Sequence, residues 1–187
     1  MQLFVYIFCR KRVTSLYMNN SQVTSISAQT FSGLVNLEIL HLENNNLQEL
    51  VGHEFEALLS LRELYLQNNN LVRIAQSAFE AMPMLNTLRL DGNLLTNFPI
   101  WSLASSNPFL GTLFLAENMW SCDCSFAKPF RTYVHTFSDR VSDQAQIRCV
   151  TDNLVNEALL EAESYLKCPA SDSNSLIEEG KIFFILI

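Results

Sequence analysis

The chain has 187 residues, enough for one domain with a real core. Apolar residues make up 49% and charged ones 17%, which excludes a disordered polymer, and 5 Gly with 5 Pro exclude collagen-like or linker-dominated chains. A net charge of −7, from 12 Lys+Arg against 19 Asp+Glu, gives no footprint for nucleic acid or anionic lipid, since both need clustered positive charge.

Residues 1–12 are expected to be an incomplete N-terminal lead-in. The apolar run from Met1 to Cys9 precedes Arg10-Lys11-Arg12. A secretory signal has the opposite order, with positive charges first and a small-residue cleavage site last. The segment is therefore read as a ragged beginning.

Residues 13–117 carry an internal repeat. Leu37, Leu40, Leu42, Asn45, Leu47 and Leu50 fit the template L-x-x-L-x-L-x-x-N-x-L-x-x-L. It recurs from Leu61 (with Asn69) and from Leu85 (with Asn93), is preceded by a copy from Val13, and ends in a copy from Leu110 with Asn118. The starts at 13, 37, 61 and 85 are 24 residues apart, and about five copies are present. This is identified as a leucine-rich repeat array. Each x-L-x-L-x core alternates with period two, so it predicts a short strand with its leucines facing inward. One such strand cannot bury its apolar face, but stacked neighbours form a continuous core and a parallel sheet. The fold class is thus an α/β leucine-rich repeat solenoid, a horseshoe arc with short parallel strands on its concave face. Asn45, Asn69, Asn93 and Asn118 are expected to form a buried hydrogen-bonded ladder, because an amide both donates and accepts. A second spine, Phe31, Phe55, Phe79 and Leu103, with Leu34, Leu58 and Met82 three residues further on, should pack an irregular or short-helical convex side. Phe98-Pro99-Ile100-Trp101 predicts a tighter turn in the fourth repeat, since Pro has no backbone donor.

Residues 118–168 are expected to be a C-terminal cysteine-rich cap. An open array end exposes leucines and needs a cover with a polar outer face. Phe126, Phe130, Val134 and Phe137 recur at helical spacing, so a helix should lie over the core with Trp120 beneath it. Cys122, Cys124, Cys149 and Cys168 allow three pairings. Cys122–Cys149 and Cys124–Cys168 is favoured, each closing a loop worth roughly 3–4 kcal/mol in the chain-entropy model. A zinc site is the alternative, although Cys-x-Cys is not the usual C-x₂-C knuckle. Disulfides imply an oxidising compartment, hence a secreted or cell-surface chain. Cys9 is left over. Residues 169–187 form a tail expected to be disordered or truncated. Its end, Ile182 to Ile187, has six apolar residues where a membrane span needs roughly 20.

The tract from about Val13 to Cys168 resembles the extracellular part of Toll-type receptors (insect Toll and Toll-like receptors), in the repeats that end an ectodomain block and in its cysteine cap. The motifs are Leu58-Leu59-Ser60-Leu61-Arg62-Glu63-Leu64-Tyr65-Leu66-Gln67-Asn68-Asn69, Leu88-Arg89-Leu90-Asp91-Gly92-Asn93 and Glu117-Asn118-Met119-Trp120-Ser121-Cys122-Asp123-Cys124. Neuronal and adhesion receptors share this cap. Met119 stands where the family usually has Pro, no start cap is present and no intracellular signalling domain follows, so the chain resembles a piece of a receptor. The resemblance implies a module at the outer face of the plasma membrane (secreted, if this is a natural short form), any membrane contact being through a missing or truncated anchor. It implies a protein partner, either a dimeric cystine-knot cytokine or another receptor chain, in innate immune or developmental signalling. Two other readings are an adhesion or guidance protein without signalling, and a secreted decoy or non-functional fragment.

Alternation places Tyr17, His41, Tyr65, Arg89 and Phe114 in one outward column, flanked by Asn19, Glu43, Gln67, Asp91 and Ala116. Such residues suit protein binding, where Tyr and Arg often act as hot spots, although solvated strand positions tolerate them too. Asn19-Asn20-Ser21 is an N-glycosylation sequon, and a glycan on Asn19 would block that edge of the face. Catalysis finds no footing. His41, His53 and His135 recur with no nucleophile, His53-Glu54 lacks a second metal-binding His, and there is no glycine-rich phosphate loop. No enzyme activity and no cofactor is expected.

Overall fold

A computed structural model describes residues 2–3, 12–151 and 156–159. The core of each repeat forms a three-residue strand: β2 (Ser15–Tyr17), β4 (Ile39–His41), β6 (Glu63–Tyr65), β8 (Thr87–Arg89) and β9 (Thr112–Phe114). They make one five-stranded parallel sheet in the order β2-β4-β6-β8-β9. The register advances one repeat per strand, so Leu16, Leu40, Leu64, Leu88 and Leu113 are successive partners. The last four are fully buried. Leu16 is only half-buried, as are Val13 and Met18 beside it. Leu40, Leu64 and Leu88 each have a repeat strand on both sides, and Leu113 has one repeat strand and the cap residue Val141. Full burial of such a side chain stabilises by about 1.5–3 kcal/mol, so the interior repeats hold the core more firmly than the first.

A second set of two-residue strands lies further along the first three repeats. β5 (Glu49–Leu50) pairs in parallel with β7 (Arg73–Ile74), and β1 (Gln2–Leu3) pairs in the same way with β3 (Ser25–Ile26). Part of the N-terminal lead-in therefore takes the place of a preceding repeat's short strand.

Between the strands the chain turns on a fixed device. Asn69 is 6% exposed, donates through Nδ2 to the carbonyls of Leu42 and Leu66 at 3.0 Å, and accepts from Leu47 N–H at 3.0 Å. Asn45, Asn93 and Asn118 make the corresponding bonds, so each ladder side chain fastens its own turn to the repeat before it. The residue before each ladder position is left-handed: Asn20, Asn44, Asn68, Gly92 and Glu117 have φ of 54°, 56°, 56°, 65° and 54°. Asn and Gly tolerate this conformation, whereas Glu does so at a cost. Gly92 has a further constraint, because a Cβ there would meet the Asn68 side chain.

On the opposite side, Phe31 and Phe55 stack at 6.1 Å between ring centres. Phe79 instead meets Phe98 edge-on at 5.9 Å, with Leu103 buried nearby at the start of α1 (Leu103–Ser106). The chain reaches this point through a 3-10 turn, Ile100–Ser102, that begins directly after Pro99. Glu54 is 3% exposed, and its carboxylate accepts from the N–H groups of Val51, Gly52 and His53 at 2.6, 2.9 and 3.0 Å. Thr30, one repeat earlier, accepts from Ser27 N–H at 3.0 Å in the same way. The His53-Glu54 pair is thus explained by a turn cap.

The far end is closed by α2 (Cys124–Thr136), which turns Phe126, Ala127, Phe130, Tyr133 and Val134 inward. Trp120 is fully buried beneath it, 5.0 Å from the Phe130 ring, with Nε1 donating to Leu115 O at 2.8 Å. Its strand β10 (Trp120–Ser121) pairs in parallel with β11 (Arg148–Val150), which pairs antiparallel with β12 (Asn156–Ala158). A disulfide joins Cys122 to Cys149 with 5.1 Å between Cα atoms. Cys124 is also disulfide-bonded. Its expected partner Cys168, like Cys9, lies outside the described residues. With these three sulfurs in disulfides, they offer no thiolate to zinc.

Candidate protein-recognition face

The outer face of the five-stranded sheet carries the residues that alternate with the buried leucines. Tyr17, His41, Tyr65, Arg89 and Phe114 are direct partners in successive strands. Neighbouring strands lie about 4.8 Å apart, which brings rings on successive strands face to face. The Tyr17 and His41 rings accordingly stack at 4.6 Å and 13°, and His41 and Tyr65 at 4.3 Å and 2°. The column ends with the Arg89 guanidinium 4.4 Å from the centre of the Phe114 ring. Rings packed face to face along the sheet turn their edges outward, and each holds the next in one rotamer. Tyr17, in the first strand of this sheet, is 67% exposed.

His41, Tyr65 and Arg89 each have a carboxylate two residues away along the chain, where alternation keeps both on one face. His41 Nδ1 is 3.1 Å from both oxygens of Glu43, a geometry that suits a proton on Nδ1. The Tyr65 hydroxyl donates to Glu63 at 2.6 Å. Arg89 donates to Asp91 through Nε at 2.9 Å and Nη2 at 2.6 Å. The hydrogen bond to Glu63, then burial, pushes the Tyr65 phenol up to about 12. The Arg89 guanidinium is raised above its ordinary value by its bond to Asp91, against the opposing effect of burial.

The flanking column is less uniform. Asn19, Glu43, Gln67 and Asp91 are half-buried, but Ala116 is only 4% exposed and does not belong to the open face. The cap covers it. Val141 bridges Leu113, and the Asp143 carboxylate accepts from Leu115 N–H at 2.8 Å and from Ala116 N–H at 2.7 Å. Burial pushes the Asp143 carboxyl above its ordinary range, opposed by those two hydrogen bonds. Asp143 had no signal in the sequence, since it lies 28 residues beyond the strand it closes. Glu63 did have one, namely its outward phase two positions before Tyr65. In the sequon, Ser21 Oγ donates to the backbone carbonyl of Asn19 at 3.1 Å, and Asn19 follows Tyr17 by two residues.

The leucine-rich repeat family profile matches residues 11–71 and 60–119, which together span more than half of the chain. The chain belongs to the leucine-rich repeat family. A search of curated proteins finds no significant match. Leucine-rich repeat domains generally mediate protein–protein recognition and are typically not enzymes. Here the open sheet supplies an ordered surface of stacked rings and carboxylates. Among the described residues no three His, Cys, Asp or Glu side chains are grouped to hold a metal ion, and no helix is long and apolar enough to cross a membrane.

Proposed function

We propose that the chain is an extracellular protein-recognition module of a Toll-type cell-surface receptor, built as a leucine-rich repeat horseshoe closed by a cysteine-rich cap, binding a protein ligand or co-receptor that leads to immune or developmental signalling. The observation that carries this reading is the locked column Tyr17–His41–Tyr65 continued by Arg89 over Phe114. Side chains already held in one rotamer lose little entropy when a partner covers them. Tyr17, Tyr65 and Arg89 are of the types enriched among the residues that dominate binding energy at protein interfaces. Disulfides at Cys122–Cys149 and at Cys124 support placement outside the cell, and in that compartment Asn19 is a candidate for a glycan.

By the resemblance, the partner is a dimeric cystine-knot cytokine or a second receptor chain. The test is binding of the chain, secreted from eukaryotic cells, to a panel of such cytokine dimers and receptor ectodomains by surface plasmon resonance. Saturable binding that is lost in Tyr65→Ala/Arg89→Ala, with melting behaviour retained, is expected. Binding that ignores both substitutions would move the site elsewhere on the molecule.

A further inference from the structure

We infer that the open face of the sheet selects a positively charged partner, a protein surface or loop presenting Lys or Arg against Glu43 and Glu63 beside the Tyr65 ring. This deepens the reading above and rests on it. Four carboxylates meet on or at the edge of this face: Glu43, Glu63, Asp91 and Asp143. Arg89 is the cation set among them, and its guanidinium is committed to Asp91 by two hydrogen bonds. Glu43 and Glu63 are bonded within the face by His41 and Tyr65, the latter a neutral donor.

That arrangement has a physical consequence. A hydrogen bond from a phenol orients a carboxylate and leaves its charge in place. The Tyr65 hydroxyl is the donor of its 2.6 Å bond, and the Glu63 carboxylate accepts it. The centre of the face therefore combines two carboxylates with outward-turned ring edges, and because ring edges carry positive potential the carboxylates are the groups that attract a cation there. A Lys or Arg from a partner supplies the missing countercharge, and its apolar stem can lie along the Tyr65 and Tyr17 rings. An acidic partner meets repulsion on the same surface, which sharpens selectivity.

The probe is a library of disulfide-cyclised peptides, randomised evenly over all residue types, selected against the full chain. Binders are then titrated against the wild type, against Glu43→Gln/Glu63→Gln, and against Thr87→Trp, which fills the face with a neutral ring. Glu80→Gln, an exposed carboxylate away from the sheet, is the control. The expected binders are lost in Thr87→Trp, are enriched in Lys and Arg over the input, and weaken about ten-fold or more in the double Gln variant and with added salt. Binders lost in Thr87→Trp but neutral in composition and indifferent to Glu43→Gln/Glu63→Gln overturn the charge selection while leaving a recognition role intact. Binders indifferent to Thr87→Trp overturn both. Gln keeps the size and the acceptor oxygen of Glu, so an unchanged thermal melt separates lost charge from lost fold.

Discussion

Three consecutive asparagines, Asn68, Asn69 and Asn70, offer a sharp test of what holds the repeats together. Asn69→Ala removes an amide that is 6% exposed and makes three 3.0 Å bonds, to Leu42 O, Leu66 O and from Leu47 N–H. Each bond contributes about 1 kcal/mol net, and a buried donor left unpaired costs about 1–3 kcal/mol. Two of the orphaned groups belong to the neighbouring repeat, so the loss falls on the interface between repeats as well as within one. The expected destabilisation is about 3 kcal/mol. Asn70 sits next in sequence with an exposed side chain, so Asn70→Ala should cost under about 0.5 kcal/mol. Asn68 is left-handed at φ 56° and donates to Asn44 Oδ1 at 3.0 Å on the exposed side. There Asn68→Gly keeps the backbone conformation, and its loss should stay below about 1 kcal/mol. Urea unfolding of the three variants, with disulfides intact, reads these differences as midpoint shifts. If Asn69→Ala unfolds at the same midpoint as Asn70→Ala, the ladder does not stabilise the turns and the reasoning fails.

Further outcomes follow from other residues. Glu117 occupies the left-handed position that Asn fills in three earlier repeats, so Glu117→Asn should stabilise by about 0.5–1 kcal/mol, read as a higher melting temperature. Asp143→Ala leaves the Leu115 and Ala116 donors without their acceptor and should cost about 2–4 kcal/mol in urea unfolding, with Asp143→Asn costing roughly half as much because one oxygen remains. Tyr65 should ionise near pH 12 in an absorbance titration and return toward 10.0 in Glu63→Gln. Its folded value lies above the ordinary one, so its contribution to stability is complete below about pH 10 and is lost as pH rises through about 12.

The repeat was legible because its signal is redundant. Inward leucines, ladder asparagines and the Phe31, Phe55 and Phe79 spine recur at a fixed offset, and neighbouring copies meet, as Leu40 does with Leu64 and Phe31 with Phe55. The outward column followed from the same alternation, which needs no knowledge of side-chain partners. What escaped the sequence were contacts without periodicity. The stacking of His41 between two tyrosines depends on rotamers, and the capture of Leu115 and Ala116 by Asp143 depends on where the cap's loop returns. That return also removed Ala116 from the open face, although alternation alone had placed it there. The edge-on meeting of Phe79 and Phe98 has the same origin, since the turn around Pro99 breaks the spine at that repeat.

A recognition role for the open sheet is tested most directly by placing a photo-reactive benzophenone side chain at Tyr65 in the chain expressed in its own cells, and at the exposed Glu80 for comparison. A protein cross-link that forms at position 65, is absent at position 80 and is competed by the unlabelled chain is the expected result. Cross-linking that is equal at the two positions, or that occurs only at position 80, would contradict it.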